Sequence, residues 1–196
     1  MSPARLNALT DGVVAIVLTI MVLELKLPAE STLKAVLEVL PLLGAYLLAF
    51  VNVAIYWNNH HHMMQSARRV TGGVLWANHS LLSWLTLFPL MIRWIDDAGI
   101  TPWPVASFGL VLVGASSSYL LLERTLIHAE GDQSRVKQAL GSRAKELISF
   151  AFYIASLPAA FVSPFISIAF FVGVSIMWLV PDRRFELHRD ATEREP

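Results

Sequence analysis

The carboxylate of Asp11 lies inside the first long apolar segment of the chain, which begins near Arg5 and ends near Glu24. A charge in the hydrocarbon of a membrane costs about 2.5–3.5 kcal/mol on insertion scales, so an intramembrane carboxylate marks a candidate functional site. Two roles fit such a group. Asp11 either binds a proton or an ion directly, or accepts hydrogen bonds that brace its helix against neighbouring helices.

Further polar side chains lie in the next two apolar segments. Asn58 and His61 end the second segment, and Asn78 and His79 lie two turns into the third. If the first and third helices start on the side where the second ends, these side chains share a depth with Asp11, roughly 5–12 Å inside the membrane boundary. We therefore predict one polar layer that clamps the first helix.

The run His60-His61-His62 suggests a metal site, but its spacing argues against one. Consecutive residues of a helix point about 100° apart, so three in a row cannot converge on one ion. The chain has no cysteine that could complete a ligand set. We predict no metal site and no cofactor, and we expect these histidines to be surface or bracing groups.

One side of the first segment carries an apolar stripe about 100° wide, formed by Ile16, Thr19, Ile20 and Leu23. Asp11 points about 140° away from Ile16, so the carboxylate and the stripe face different surroundings. Most apolar stripes on membrane helices face lipid or another helix. From the residues alone, this stripe is either such a surface or the lining of a pore.

The elements that would hold these residues are membrane-spanning helices. Hydrophobic residues make up 55% of the 196-residue chain and charged residues 15%, unlike an ordinary soluble domain. The apolar blocks approach the roughly 20 residues that a bilayer crossing needs. We predict an all-α membrane protein whose single domain, 1–181, is a six-transmembrane-helix bundle with spans at 4–25, 38–62, 71–95, 103–123, 146–162 and 164–181. Pro89 and Pro158 lie inside spans, which they are expected to kink.

The distribution of Lys and Arg predicts the orientation. With the N-terminus inside, 12 of the 15 basic residues fall on the cytosolic side, and only Lys26, Lys34 and Arg93 fall outside. By the positive-inside rule, both termini are then cytosolic. The charged segment 124–145 becomes a cytosolic connector that is at most partly helical, and residues 182–196 become a short charged cytosolic tail.

Several of these residues form a family pattern. The segment Arg-x-x-x-Leu-Thr-Asp-Gly, followed by the apolar helix, resembles the opening signature of the transmembrane protein 175 family, usually Arg-x-x-x-Phe-Ser-Asp. Arg5 and Asp11 match this signature, whereas Leu9 replaces the Phe and Thr10 replaces the Ser. The later Trp-Asn-Asn-His-His, beginning at Trp57, is similar to the ending of the family's second helix. The resemblance adds Arg5, Thr10 and Trp57 to the predicted polar layer.

The resemblance also implies a function. Members of the family are potassium-permeable channels of prokaryotic plasma membranes and animal lysosomes, and the first helices of the assembly surround their conduction path. For this chain, it implies a homotetramer in the cell membrane of a prokaryote that conducts potassium, with other monovalent cations as further candidates. It places the narrowest apolar ring at Ile16, with Thr19, Ile20 and Leu23 as further pore-lining residues. Because no Thr-Val-Gly-Tyr-Gly filter occurs, we expect no re-entrant filter loop, and selectivity from an apolar constriction.

Two other classes of protein compete with the channel. A proton- or ion-coupled secondary transporter would use Asp11 and the histidines as a relay, but the sequence lacks the paired repeats of many transporter folds. A membrane enzyme would need a converging nucleophile, acid and base, and no oxyanion- or phosphate-binding motif accompanies Asp11. We predict that the protein is not an enzyme and that its partners are the lipid bilayer and cations, with no nucleic acid.

Overall fold

The described part of the chain is all-α, which confirms that part of the predicted fold class. A computed structural model describes residues 2–26, 28–131, 134, 136–137 and 143–179, and no β-strand occurs among them. The helices in that part of the chain are α1 Pro3–Leu23, α2 Leu33–Ser66, α3 Gly72–Leu85, α4 Phe88–Ala98, α5 Pro102–Glu130, α6 Ala144–Val162 and α7 Pro164–Leu179. The predicted tail, 182–196, lies outside the described residues.

Four of the described helices, α1, α2, α5 and α6, are long and apolar enough to cross a membrane, and α7 is a shorter apolar helix. α1 begins and ends close to the limits of the predicted span 4–25. α2 is longer than its predicted span, with 34 residues. α5 runs on to Glu130, so the first part of the predicted connector 124–145 is the last part of this helix.

The predicted third span, 71–95, is not one continuous helix. α3 ends at Leu85, and α4 begins at Phe88 after a short turn. Pro89 explains the interruption, because proline has no backbone N–H and its ring collides with the carbonyl four residues earlier, here that of Leu85. Pro158, which was also expected to kink its span, lies inside α6 without ending it.

α5 is the central helix of the fold and packs against α3, α4, α6 and α7. Its small residues allow the close approach of α3. The indole ring of Trp84 lies directly against Gly114, where no space remains for a Cβ atom. Four residues further along, the hydroxyl oxygen of Ser118 lies 2.8 Å from that of Ser80. The run of small residues in α5 therefore serves packing within the chain.

α1 contacts α2, α3 and α4, and ion pairs tie its C-terminal end to α4. Nζ of Lys26 lies 3.1 Å from Asp96 and 2.9 Å from Asp97, and Arg93 lies 3.6 Å from Glu24. Hydrogen bonds with Asp97 and Asp96 raise the pKa of Lys26, and the bond with Lys26 lowers the pKa of Asp97. Because Lys26, Arg93 and Asp97 are each more than half exposed, the pairs orient the end of α1 more than they stabilise the fold.

Candidate functional site

α1 presents two different faces. The buried face has spacings of three and four residues and consists of Leu6, Thr10, Val14, Val17 and Met21. The residues of the predicted stripe are exposed, by 59% for Ile16, 41% for Ile20 and 79% for Leu23, and Thr19 is exposed between them. The stripe therefore faces away from the core of its own chain.

Asp11 is half-buried, and each of its carboxylate oxygens accepts a hydrogen bond. Oδ1 accepts from Nε1 of Trp57 over 2.8 Å, and Oδ2 accepts from Nδ2 of Asn7 over 3.0 Å. The ring of His61 stacks on Trp57 with a centroid distance of 5.7 Å and an interplanar angle of 25°. The carboxylate thus joins α1 to α2.

Next to these contacts, Thr10, His60 and Asn78 form a cluster that we call the buried polar cluster. Their exposed fractions are 1%, 1% and 0%. Nε2 of His60 lies 2.8 Å from Oδ1 of Asn78, and Nδ2 of Asn78 donates to the Thr10 hydroxyl over 3.2 Å. Because the amide oxygen can only accept, His60 carries a proton on Nε2. The cluster links α1, α2 and α3 through one set of hydrogen bonds.

The structure brings together four of the residues predicted for the polar layer, namely Thr10, Asp11, Trp57 and Asn78. His61, also predicted for the layer, is half-buried, stacks on Trp57 and lies 2.8 Å from the amide nitrogen of Gln65, whereas the histidine that contacts Asn78 is His60. Adjacent residues of a helix point about 100° apart, so only one of the two can face the neighbouring helices.

The other predicted members of the layer do not enter the buried polar cluster. His79 is exposed, and its Nδ1 lies 2.6 Å from the carbonyl oxygen of Leu75 in the preceding turn of α3. Arg5 and Asn58 are exposed. Their side chains face the surroundings of the single chain.

Two residues of the site were missed in the sequence, and both carried a signal. His60 follows the buried Tyr56 by four residues and precedes the buried Met63 by three, so it is in phase with the packed face of α2. Asn7 precedes Asp11 by four residues, a spacing that makes side chains neighbours on a helix. A comparison of helical phases would have found both.

Thr19 is the polar residue of the exposed stripe. Its hydroxyl lies 3.0 Å from the carbonyl oxygen of Ala15 and 2.8 Å from that of Ile16, to which it donates. The hydrogen is thus directed at the backbone, while the hydroxyl oxygen can still accept from water or bind a cation. A groove beside the stripe is lined by Ile16 and Ile20 together with Pro89 of α4.

The arrangement supports bracing more than ligand chemistry. Each oxygen of Asp11 accepts from a neighbouring side chain, and Asn78 bonds both Thr10 and His60. Among the residues that the structure describes, no group of three or more His, Cys, Asp or Glu side chains is placed to hold a metal ion. The polar groups fix α1 against its neighbours, and the stripe on its other side stays exposed.

Long apolar helices joined by buried polar contacts define the class as a helical membrane protein. A family model described as endosomal/lysosomal potassium channel TMEM175 matches residues 5–89. A protein from Chryseobacterium sp. (strain P1-3), named as a potassium channel, is 44% identical over 186 residues, which cover 95% of this chain and 97% of that protein. Another named potassium channel, from Chamaesiphon minutus, is 30% identical over 104 residues, covering 50% of this chain and 51% of that protein.

A solved structure shows the same fold. The crystal structure of a homolog, from Chamaesiphon minutus, of the lysosomal potassium-selective channel TMEM175 superimposes with a TM-score of 0.79. Its sequence identity is 21%, and the match covers 91% of this chain and 96% of that one. With the extended match to the Chryseobacterium protein, the chain belongs to the TMEM175 family, and the resemblance seen in the sequence is confirmed.

Proposed function

We propose that the protein is a potassium-permeable cation channel in the cell membrane of a prokaryote, and that it works as a homotetramer. Its named relatives are potassium channels. A single α1 helix cannot enclose a pore, so cyclic symmetry must bring several copies together. The number four rests on the resemblance to the prokaryotic members of the family.

The observation that carries this proposal is the separation of the two faces of α1. Ile16 is 59% exposed on a helix whose Thr10 is 1% exposed and bonded to α3. The chain leaves this surface of α1 uncovered while it holds the other side of the helix in place. Such a surface is suited to line a pore on the symmetry axis of an oligomer. Ile16, Thr19, Ile20 and Leu23 would line the path, with the narrowest ring at Ile16.

An apolar ring sets the mechanism of conduction. Four isoleucine side chains around an axis leave a neck that favours dewetting, so cations pass only when the ring widens and admits water. Thr19, one turn further along, presents a hydroxyl oxygen that can replace part of the hydration shell of a cation. Discrimination between ions then requires no re-entrant filter loop.

The membrane topology completes the proposal. We assign six spans, with α3 and α4 together forming the third, and both termini in the cytosol. The assignment rests on the loop distribution of Lys and Arg, 12 of 15 on the cytosolic side. Because two helices joined by a turn act as one span, the break at Pro89 leaves the remaining orientations unchanged.

The test is ion flux through purified protein in liposomes, combined with its mass in detergent. We expect potassium flux above sodium flux, without dependence on a proton gradient, and an assembly of about 87 kDa from four chains of 21.8 kDa. Flux that requires a proton gradient would instead favour the transporter, with Asp11 and the histidines as its relay. A monomer that conducts would exclude α1 as the lining of a shared pore.

A further inference from the structure

A second polar region lies away from α1, between α2, α5, α6 and α7. There, a half-enclosed cavity is lined by residues of all four helices, including Asn52, Tyr119, Glu146, Ser149, Tyr153 and Trp178. The space open to the centres of water molecules measures about 30 Å³. A water molecule needs roughly 10–15 Å³ of such space, so the cavity has room for about two.

Most polar atoms around the cavity already bond to one another. The hydroxyl of Tyr153 donates to Oδ1 of Asn52 over 3.1 Å, which ties α6 to α2. Nε1 of Trp178 donates to Oγ of Ser149 over 2.8 Å, and that hydroxyl donates to the carbonyl of Lys145 over 2.7 Å. These bonds leave little further capacity on Asn52 and Ser149.

Glu146 is the exception. Its side chain is only 8% exposed, and Oε2 is buried without a hydrogen-bond partner among the described residues. Leaving a buried acceptor without a donor is unfavourable, and more so for a charged group. Tyr119 also lines the cavity, so its hydroxyl is a second polar group that could bond a water molecule there. Two polar groups thus border a cavity that is large enough to hold water.

We propose that this cavity is a water-binding site, in which a pair of water molecules donates to Oε2 of Glu146 and bonds the hydroxyl of Tyr119. Water supplies the donors that Glu146 lacks, and a buried water needs only two to four polar partners. An alkali cation would need several oxygen ligands in place of its hydration shell, whereas the oxygens of Asn52 and Ser149 already accept hydrogen bonds.

The charges nearby agree with a neutral occupant. Arg143, at the start of α6, forms an ion pair with the buried Glu123 of α5. Nζ of Lys145 lies 5.8 Å from the centre of the Trp178 ring, at the edge of the cavity. Two basic side chains therefore accompany the two carboxylates, and the region needs no further cation to balance its charge. The waters would join α5 to α6 where no direct bond between Tyr119 and Glu146 exists.

The direct test is an experimental structure of the wild-type assembly in lipid nanodiscs, at a resolution that shows ordered water. We expect density for two waters, one within about 2.6–3.2 Å of Glu146 Oε2 and the other bonded to the Tyr119 hydroxyl. An empty cavity would overturn the proposal. A peak that gains anomalous signal when thallium(I) replaces potassium would overturn it in favour of a cation site.

Variants supply a second measurement. Glu146→Leu and Tyr119→Phe should each lose at least one of the two waters, because each removes a partner. Tyr153→Phe is the matched control: its hydroxyl bonds Asn52 directly, so both waters should remain. Retention of both waters in Glu146→Leu would show that the carboxylate does not hold them. If a variant fails to fold, the wild-type density still decides.

Discussion

The indole nitrogen of Trp57 donates to Oδ1 of Asp11 over 2.8 Å, and this bond joins the pore-lining candidate α1 to α2. The other oxygen of the same carboxylate accepts from Asn7. Ile16 points about 140° away from Asp11 around the helix. The charge therefore orients α1 without facing the surface on which the stripe lies.

Replacing Asp11 with Ala leaves the donors of Trp57 and Asn7 without their acceptor. The cost is about 1–3 kcal/mol for each group left unpaired, and less for Trp57, which is 38% exposed. We expect a lower melting temperature and poorer assembly in detergent, with an unchanged ratio of potassium to sodium flux. Asp11→Asn, which keeps one acceptor, should lose less. Normal assembly with an altered flux ratio would place Asp11 in the conduction path.

His60→Ala should destabilise the protein more than His61→Ala. The first variant removes the partner of Asn78 in the buried polar cluster, at a cost of about 1–3 kcal/mol. The second removes the stacking contact with Trp57 and the bond to Gln65 of a half-buried side chain. Thermal unfolding of the two variants side by side measures the difference. Equal losses of melting temperature would mean that the buried contact between His60 and Asn78 stabilises the protein no more than the contacts of His61 do.

Ile16→Asn tests the constriction. In the proposed tetramer, four amides around the axis would hydrogen-bond water and lower the barrier to wetting, so we expect higher cation flux and weaker discrimination between potassium and sodium. Folding should survive, since Ile16 is exposed. Leu18→Asn is the control, because Leu18 lies roughly 160° away and packs against the core. That variant should damage folding instead. Unchanged flux and selectivity in Ile16→Asn would show that the conduction path does not pass Ile16.

Gly114→Ala should destabilise the contact between α3 and α5. The new methyl group would collide with the ring of Trp84, and overpacking of this kind costs about 1–3 kcal/mol. Gly173→Ala is matched to it, since it also lies in a helix but has no atom within 4 Å of the added Cβ. That control should be neutral or slightly stabilising in a thermal melt. Adding Trp84→Leu to Gly114→Ala should restore part of the loss, and no recovery would contradict the proposed clash.

The ion pairs of Lys26 predict a defined pH range. The pKa of Asp97 is lowered from 3.8, so its contribution is present above that value and is lost as the pH falls through the lower folded value. The pKa of Lys26 is raised from 10.5, so its contribution is lost only as the pH rises through the higher folded value. The difference in melting temperature between wild type and Lys26→Met should therefore be constant from about pH 5 to pH 9 and shrink below about pH 4. A difference that changes near pH 7 would point to another group.

Much of α1 could be predicted from the sequence because its properties are local. The length of the apolar run determines where the helix lies, and the rotation of 100° per residue places Asp11 and Ile16 on different sides of it. The signature from Arg5 to Asp11 identified the family, since it depends only on residue order. The break at Pro89 was also foreseeable in position, although the sequence predicted a kink and the structure shows two helices.

Contacts between helices were decided by the tertiary structure. His60, His61 and His62 are identical side chains at neighbouring positions of α2, so the sequence does not distinguish them. His60, and not His61, contacts Asn78 because of the direction from which α1 and α3 approach α2. The fit of Trp84 against Gly114 likewise depends on the distance between two helices that lie apart in the sequence. A helical pattern specifies how residues are arranged around their own axis, whereas burial depends on where the neighbouring axes lie. That is why the sequence alone determined the family and the position of the stripe around α1, whereas packing determined that the stripe is exposed and which polar contacts hold α1.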